Sequence, residues 1–104
     1  MSARKWNVVL SPFAEADFED ILAYTRGQWG ADQADHYAET ILSALDDIAT
    51  HPEIGRPRDD LRLGLRSYLI QRQHRILYRI DGAMIRVLRI VHVRTDPASW
   101  LRGL

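Results

Sequence analysis

With 104 residues, 46% of them hydrophobic, and fourteen Lys and Arg balanced by fourteen Asp and Glu, the chain has the size and apolar content of one domain, residues 1–104, with a single packed core. The absence of Cys excludes disulfides, thiol nucleophiles and cysteine-held zinc, and His36, His51, His74 and His92 lack the i, i+4 spacing of a helical metal site, so neither a metal nor a cofactor is expected. No apolar run reaches the length of a membrane span and the opening Met-Ser-Ala-Arg-Lys-Trp has no hydrophobic signal core behind it, which predicts a cytoplasmic protein with no membrane partner.

The neutral total conceals a division. Residues 1–60 hold twelve Asp and Glu against five Lys and Arg, net −7, while residues 61–104 hold nine Arg against Asp81 and Asp96, net +7. A chain polarised in this way steers an acidic or polyanionic partner toward its C-terminal half.

Trp6 to Leu10 is a short apolar, β-branched run, and Ser11-Pro12 ends it with a good N-cap and a proline suited to the first helical position. Ala14, Phe18, Ile21, Leu22, Thr25 and Trp29 then recur at helical spacing, with Glu15, Asp17, Glu19 and Asp20 in the first turns, where carboxylates favour the positive end of the helix. Gly27 and Gly30 are expected to end that helix. A second set, Ala34, Tyr37, Ala38, Ile41, Leu42, Leu45, Ile48 and Ala49, runs to His51-Pro52, with Asp32 or a neighbour as its N-cap; the short link between the two helices makes an antiparallel hairpin.

Pro52 to Gly64, with two Pro, two Gly and six charged residues, reads as a loop. Leu65 to Ile70, Arg75 to Ile80 and Met84 to Val93 read as strands, the last two joined at Asp81-Gly82, a strong hairpin signal. The last strand is apolar at almost every position from Val87 to Val93, which places it centrally in the sheet. The expected fold is therefore α+β, in the order β-α-α-β-β-β, with a two-helix hairpin packed on one face of a mainly antiparallel four-stranded sheet.

Several pieces of the sequence together carry a resemblance over about ninety residues: Val-Val-Leu-Ser followed by Ala14, Asp17 and Ile21; Tyr24 to Trp29-Gly30; Gln33-Ala34 with Tyr37; His51-Pro52-x-x-Gly55; Gly64-Leu65-Arg66; His74-Arg75-Ile76-x-Tyr78; and Val87 to Asp96, containing Arg-Ile-x-His-x-Arg-x-Asp. In order and spacing they resemble the ParE branch of the ParE/RelE toxin superfamily. The resemblance implies a RelE-like fold in which the first strand pairs with the last. It also implies a toxin of a type II toxin–antitoxin pair that inhibits DNA gyrase and so DNA replication. Its implied partner is a ParD-like antitoxin whose acidic C-terminal segment wraps the toxin. Relatives on the RelE side share the fold but cut messenger RNA, so the choice rests on site chemistry.

An RNA-cutting site needs a general base, an acid and convergent cations. Here the only cast is His92 with Arg94 and Arg66, supplemented by His74 and Arg75; Lys5 is the only Lys, and no Tyr or Lys follows His92. A plain sheet histidine, packed on a neighbour and bonded to Asp96 or a carbonyl, is the preferred account of His92. The near-neutral pI of about 6.9 also speaks against a nucleic-acid binder, and no sequence-specific nucleic-acid contact is expected. The main reading is a non-enzymatic toxin. The alternatives are a RelE-like endoribonuclease using His92 and nearby Arg, or a degenerate toxin that only binds its antitoxin. Candidate antitoxin- or target-binding residues are Phe13 and Tyr24 on the first helix; Arg66, Tyr68, His74, Arg75, His92 and Arg94 on the sheet; and Trp100 and Leu101 in an amphipathic tail that could instead be a turn capping the sheet.

Overall fold

A computed structural model describes residues 5–104; residues 1–4, part of the segment read above for a signal core, lie outside the described residues. The elements are β1 (Asn7–Leu10), α1 (Pro12–Trp29), α2 (Ala31–Thr50), β2 (Arg56–Pro57), β3 (Arg66–Ile70), β4 (His74–Asp81), β5 (Met84–His92) and a 3₁₀ turn over Pro97–Ser99. Each expected helix and strand is present, and β2 is an addition, so the sheet has five strands in the order β1-β5-β4-β3-β2. β5 is interior, parallel to β1 on one side and antiparallel to β4 on the other. β2 escaped the sequence because two residues show no periodicity, and its Pro57 sits at the sheet edge, where a missing N–H costs nothing.

Local chemistry explains the helix ends. Ser11 Oγ accepts from the Ala14 N–H at 3.0 Å while Pro12 occupies the first turn. Gly30, at φ +95°, closes α1 by donating its N–H to the Arg26 carbonyl and starts α2 with no side-chain cap. The expected Asp32 cap is therefore corrected: the one-residue link leaves no room for a separate cap, and Asp32 stands in the first turn as a dipole partner. Gly27 likewise lies inside α1 and does not end it.

Asp81 pairs with Met84, so the hairpin loop is Gly82-Ala83, with Gly82 at φ +61°, the position a type II′ turn gives to glycine. A bulge opposite Leu77 and Tyr78 leaves Leu88 without a partner, so Val87 and Ile90, three residues apart, both face the helices.

The core has two layers rather than the single one expected. Between helices and sheet lie Tyr37, Ile41, Leu45, Ile48, Ile76, Tyr78, Ile85, Val87 and Ile90. On the reverse face Leu65, Leu77, Val91 and Trp100 form a smaller cluster, closed by Leu61, Leu88 and Leu101. The long loop and the tail thus shield the sheet's second side, burying apolar area at about 25 cal/mol per Å².

Candidate partner-binding surfaces

β1 covers β5 only from Met84 to Val87, so the following stretch of β5 needs another neighbour. The first half of α1 provides it. Ser11 Oγ donates to the Leu88 carbonyl at 2.8 Å, and Asp17 accepts from the Ile90 N–H at 2.9 Å. Asp17 also takes both guanidinium nitrogens of Arg89, at 2.7 and 2.9 Å, and Arg89 reaches the Trp100 carbonyl at 3.1 Å. A residue that looked like a helix-dipole acid is thus the anchor of α1, and Arg89 is a structural ion pair.

The same docking leaves α1 poorly buried: Ala14 is its only fully buried residue, while Phe13, Tyr24 and Trp29 are 46%, 68% and 73% exposed. Phe13 and Tyr24, eleven residues apart, fall on one helix face, and they are the exposed apolar strip expected of this helix. Tyr37, on the second helix, is buried. Below Tyr24 a hollow of about 330 Å³ lies between Asp20, Ile21, Tyr24, Gln73, His74 and His92, and a second of about 470 Å³, sharing Gln73 with it, lies by Trp29 and Gln33.

His74 and His92 face each other across β4 and β5, ring centroids 5.1 Å apart and edge to face. Tyr37 Oη lies 2.6 Å from His74 Nδ1. Burial lifts the Tyr37 hydroxyl to about 12 and keeps it protonated, and its bond to His74 joins two neutral groups. Burial, aided by the neighbouring His92, lowers His74 to about 4 and keeps it neutral. His92 is exposed, and its Nδ1 accepts from the Arg94 backbone N–H at 3.1 Å; Asp96, the partner expected for it, caps the 3₁₀ turn at Ala98.

Of the nuclease candidates, Arg94 neighbours His92 but Arg66 is not brought to them. Arg66 stands opposite Tyr78 and His92 opposite His74, two strands and four residues away, roughly 16 Å by strand geometry. Arg66 is held by the carbonyls of Glu53 and Gly55 at 3.1 and 2.8 Å. Arg75 points to the opposite sheet face, alongside Leu77, while Arg94 is exposed beyond the end of β5. Tyr68 is half-buried, its hydroxyl donating to Asp47 at 3.1 Å.

The tail resolves toward its capping alternative, which corrects Trp100 as a partner-binding candidate. Trp100 is 3% exposed, donates its indole N–H to Thr95 Oγ1 at 2.7 Å and lies under the Arg58 guanidinium at 5.6 Å; Leu101 is half-buried beside it. Sequence reasoning also missed a junction inside its own motifs: Tyr78 Oη donates to the Pro52 carbonyl and accepts from the Gly55 N–H, both at 2.8 Å. The spacing Pro-x-x-Gly was visible; its distant partner was not.

With this geometry in view, residues 8–97 match the family model described as the ParE toxin of type II toxin–antitoxin systems, parDE. The chain belongs to the ParE toxin family. It is 40% identical over 89 residues to Toxin ParE1 of Mycobacterium tuberculosis, covering 85% of this chain and 90% of that protein. It is 36% identical over 92 residues to Toxin ParE1 of Caulobacter vibrioides, covering 88% and 94%. Solved structures share the fold. A chromosomal ParDE system from P. aeruginosa superposes at TM-score 0.76 with 20% identity, over 88% of this chain and all of the other. The RelBE2 complex of Mycobacterium tuberculosis superposes at 0.63 with 21% identity, over 91% and 98%. This ParE-type toxin thus has a RelE-like α+β fold, and among its described residues no helix is long and apolar enough to cross a membrane.

Proposed function

We propose that this ParE-type toxin stops DNA replication in the cytoplasm by inhibiting DNA gyrase through protein contacts, without catalysis, and that a ParD-like antitoxin holds it inactive. Family membership supports the target, and one structural observation carries the choice against RNA cleavage: His92 and Arg66 are roughly 16 Å apart, and the neutral His74 is already engaged by Tyr37. Arg94 is then the one candidate cation beside His92, and a single exposed arginine falls short of the acid and convergent cations that a pentavalent phosphate needs.

The antitoxin would use two separated surfaces. Its apolar side chains fit the strip and hollows of α1, at Phe13, Tyr24 and Trp29, while its acidic residues are drawn to the arginines of the sheet and tail. Arg75 lies on the sheet face opposite α1, so a segment touching both it and the strip must wrap around the molecule.

A supercoiling assay tests the target. Added toxin is expected to block gyrase supercoiling and accumulate cleaved DNA, with the effect removed by the cognate antitoxin. Full gyrase activity at saturating toxin, or mRNA cleavage lost in His92→Ala, refutes the proposal.

A further inference from the structure

On the reverse face of the sheet, away from the α1 hollows, Arg56, Pro57, Arg58, Asp60, Ser67 and Arg75 enclose a cleft of about 400 Å³, within the size range of small-molecule sites. Strand register puts its donors on one surface. Arg56, Ser67 and Leu77 stand in a row across β2, β3 and β4, and Arg75 is two residues from Leu77 on the same strand face. Strand spacings place the Arg56 and Arg75 backbones roughly 12 Å apart, a gap that two arginine side chains close from opposite sides.

The charges there are not consumed internally. Arg58 is bound through two nitrogens to Asp60, both at 3.0 Å, which neutralises that carboxylate. Arg56 and Arg75 form no salt bridge or side-chain hydrogen bond among the described residues, unlike Arg79 and Arg86 on the neighbouring stretch, which share Asp81. Beneath them Ser67 is 5% exposed, and its Oγ has no hydrogen-bond partner. A buried hydroxyl left unpaired costs about 1–3 kcal/mol, and here it sits at the floor of a cleft rimmed by two unpaired guanidinium groups. Oγ is covered by its surroundings, so a ligand oxygen reaches it only after a local rearrangement of the cleft floor.

We propose that this cleft binds a phosphate group through Arg56, Arg75 and Ser67. A carboxylate is planar and satisfied by a single arginine fork; donors arriving from two strands and from the floor suit an anion with oxygens in several directions. The contact is independent of base sequence; no His, Glu or Tyr lines the cleft and its one carboxylate, Asp60, is held by Arg58, so it binds without cleaving. The inference goes beyond the gyrase reading and stands or falls apart from it.

The test is an NMR titration of the intact toxin with inorganic phosphate, a mononucleotide, a single-stranded 12-mer and a poly-glutamate peptide, at low and at physiological salt. Phosphate is expected to shift the resonances of Ser67 and the side-chain Nε signals of Arg56 and Arg75. A 12-mer bound more tightly than the mononucleotide assigns the source to a nucleic-acid backbone, and equal affinity assigns it to a free nucleotide. Arg56→Ala with Arg75→Ala should weaken phosphate binding at least tenfold, Ser67→Ala about threefold and Arg75→Lys by an intermediate factor, because lysine keeps the charge without the fork. Arg79→Ala should change nothing. Absence of phosphate-induced shifts at the cleft overturns the proposal, as does an equal loss in Arg79→Ala, or a cleft that takes poly-glutamate and not phosphate.

Discussion

Replacing Gly55 by alanine is expected to be among the most damaging small changes available. The reason is not backbone conformation, since Gly55 has no positive φ. A Cβ built there would lie 2.6 Å from Tyr78 Oη, 2.7 Å from Cε1 and 2.9 Å from Cζ, all inside contact distance. Tyr78 is fully buried, so its ring has nowhere to withdraw. Overpacking of this kind costs about 1–3 kcal/mol, and displacing the hydroxyl breaks its bonds to Gly55 and Pro52, at about 1 kcal/mol each. The expected loss for Gly55→Ala is about 3–5 kcal/mol, or about 15–25 °C in Tm for a domain of this size. Urea unfolding followed by circular dichroism measures it. Tyr78→Phe alone should cost about 1–3 kcal/mol, and the double variant less than the sum, because both remove the same two bonds. A Gly55→Ala loss below about 0.5 kcal/mol, or strict additivity, would refute the account.

Asp17→Ala should destabilise by about 2–4 kcal/mol, since it strips three hydrogen bonds and leaves the half-buried Arg89 unpaired; Arg89→Met should cost less in the same denaturation experiment, and the reverse order sinks the anchoring role. Stability should also fall on acidification. His74 has its folded value near 4, below its ordinary 6.5, so the unfolded chain binds the proton more tightly, and stability present above 6.5 is lost as pH drops toward 4. Discounted for the ring's partial exposure, that is about 1 kcal/mol between pH 7 and pH 5; an unchanged loss in His74→Gln, which keeps a hydrogen-bonding group for Tyr37, argues against it. Finally, Gln71 and Arg72 both adopt left-handed backbone, at φ +47° and +59°, in the turn joining β3 to β4. Asn-Gly in their place should raise stability by about 1–2 kcal/mol, and an unchanged unfolding midpoint would show that the turn holds no strain.

Local rules read the helices and strands well, because each is announced by its own neighbours: Ser11-Pro12 by capping, Ile41, Leu45 and Ile48 by period, Gly82 by turn chemistry. They failed where a residue's partner is distant. Leu42 fits the apolar period of α2 yet is 55% exposed, since the sheet covers only part of that helix. Trp100 fits an amphipathic tail equally well as a docking residue or as a lid, and only the hollow over Leu65, Leu77 and Val91 makes it a lid.

By itself, then, the sequence determines the order of elements, their caps and turns, the ParE-like motif set, and the acidic helices set against an arginine-rich sheet. The tertiary structure alone decides which arginines are spoken for. Arg89 is held by Asp17 seventy-two residues earlier, Arg66 by the carbonyls of the β2 approach, and Arg56 and Arg75 are left over Ser67. Charge is a property of composition, but its availability depends on long-range pairing, which periodicity and spacing do not encode.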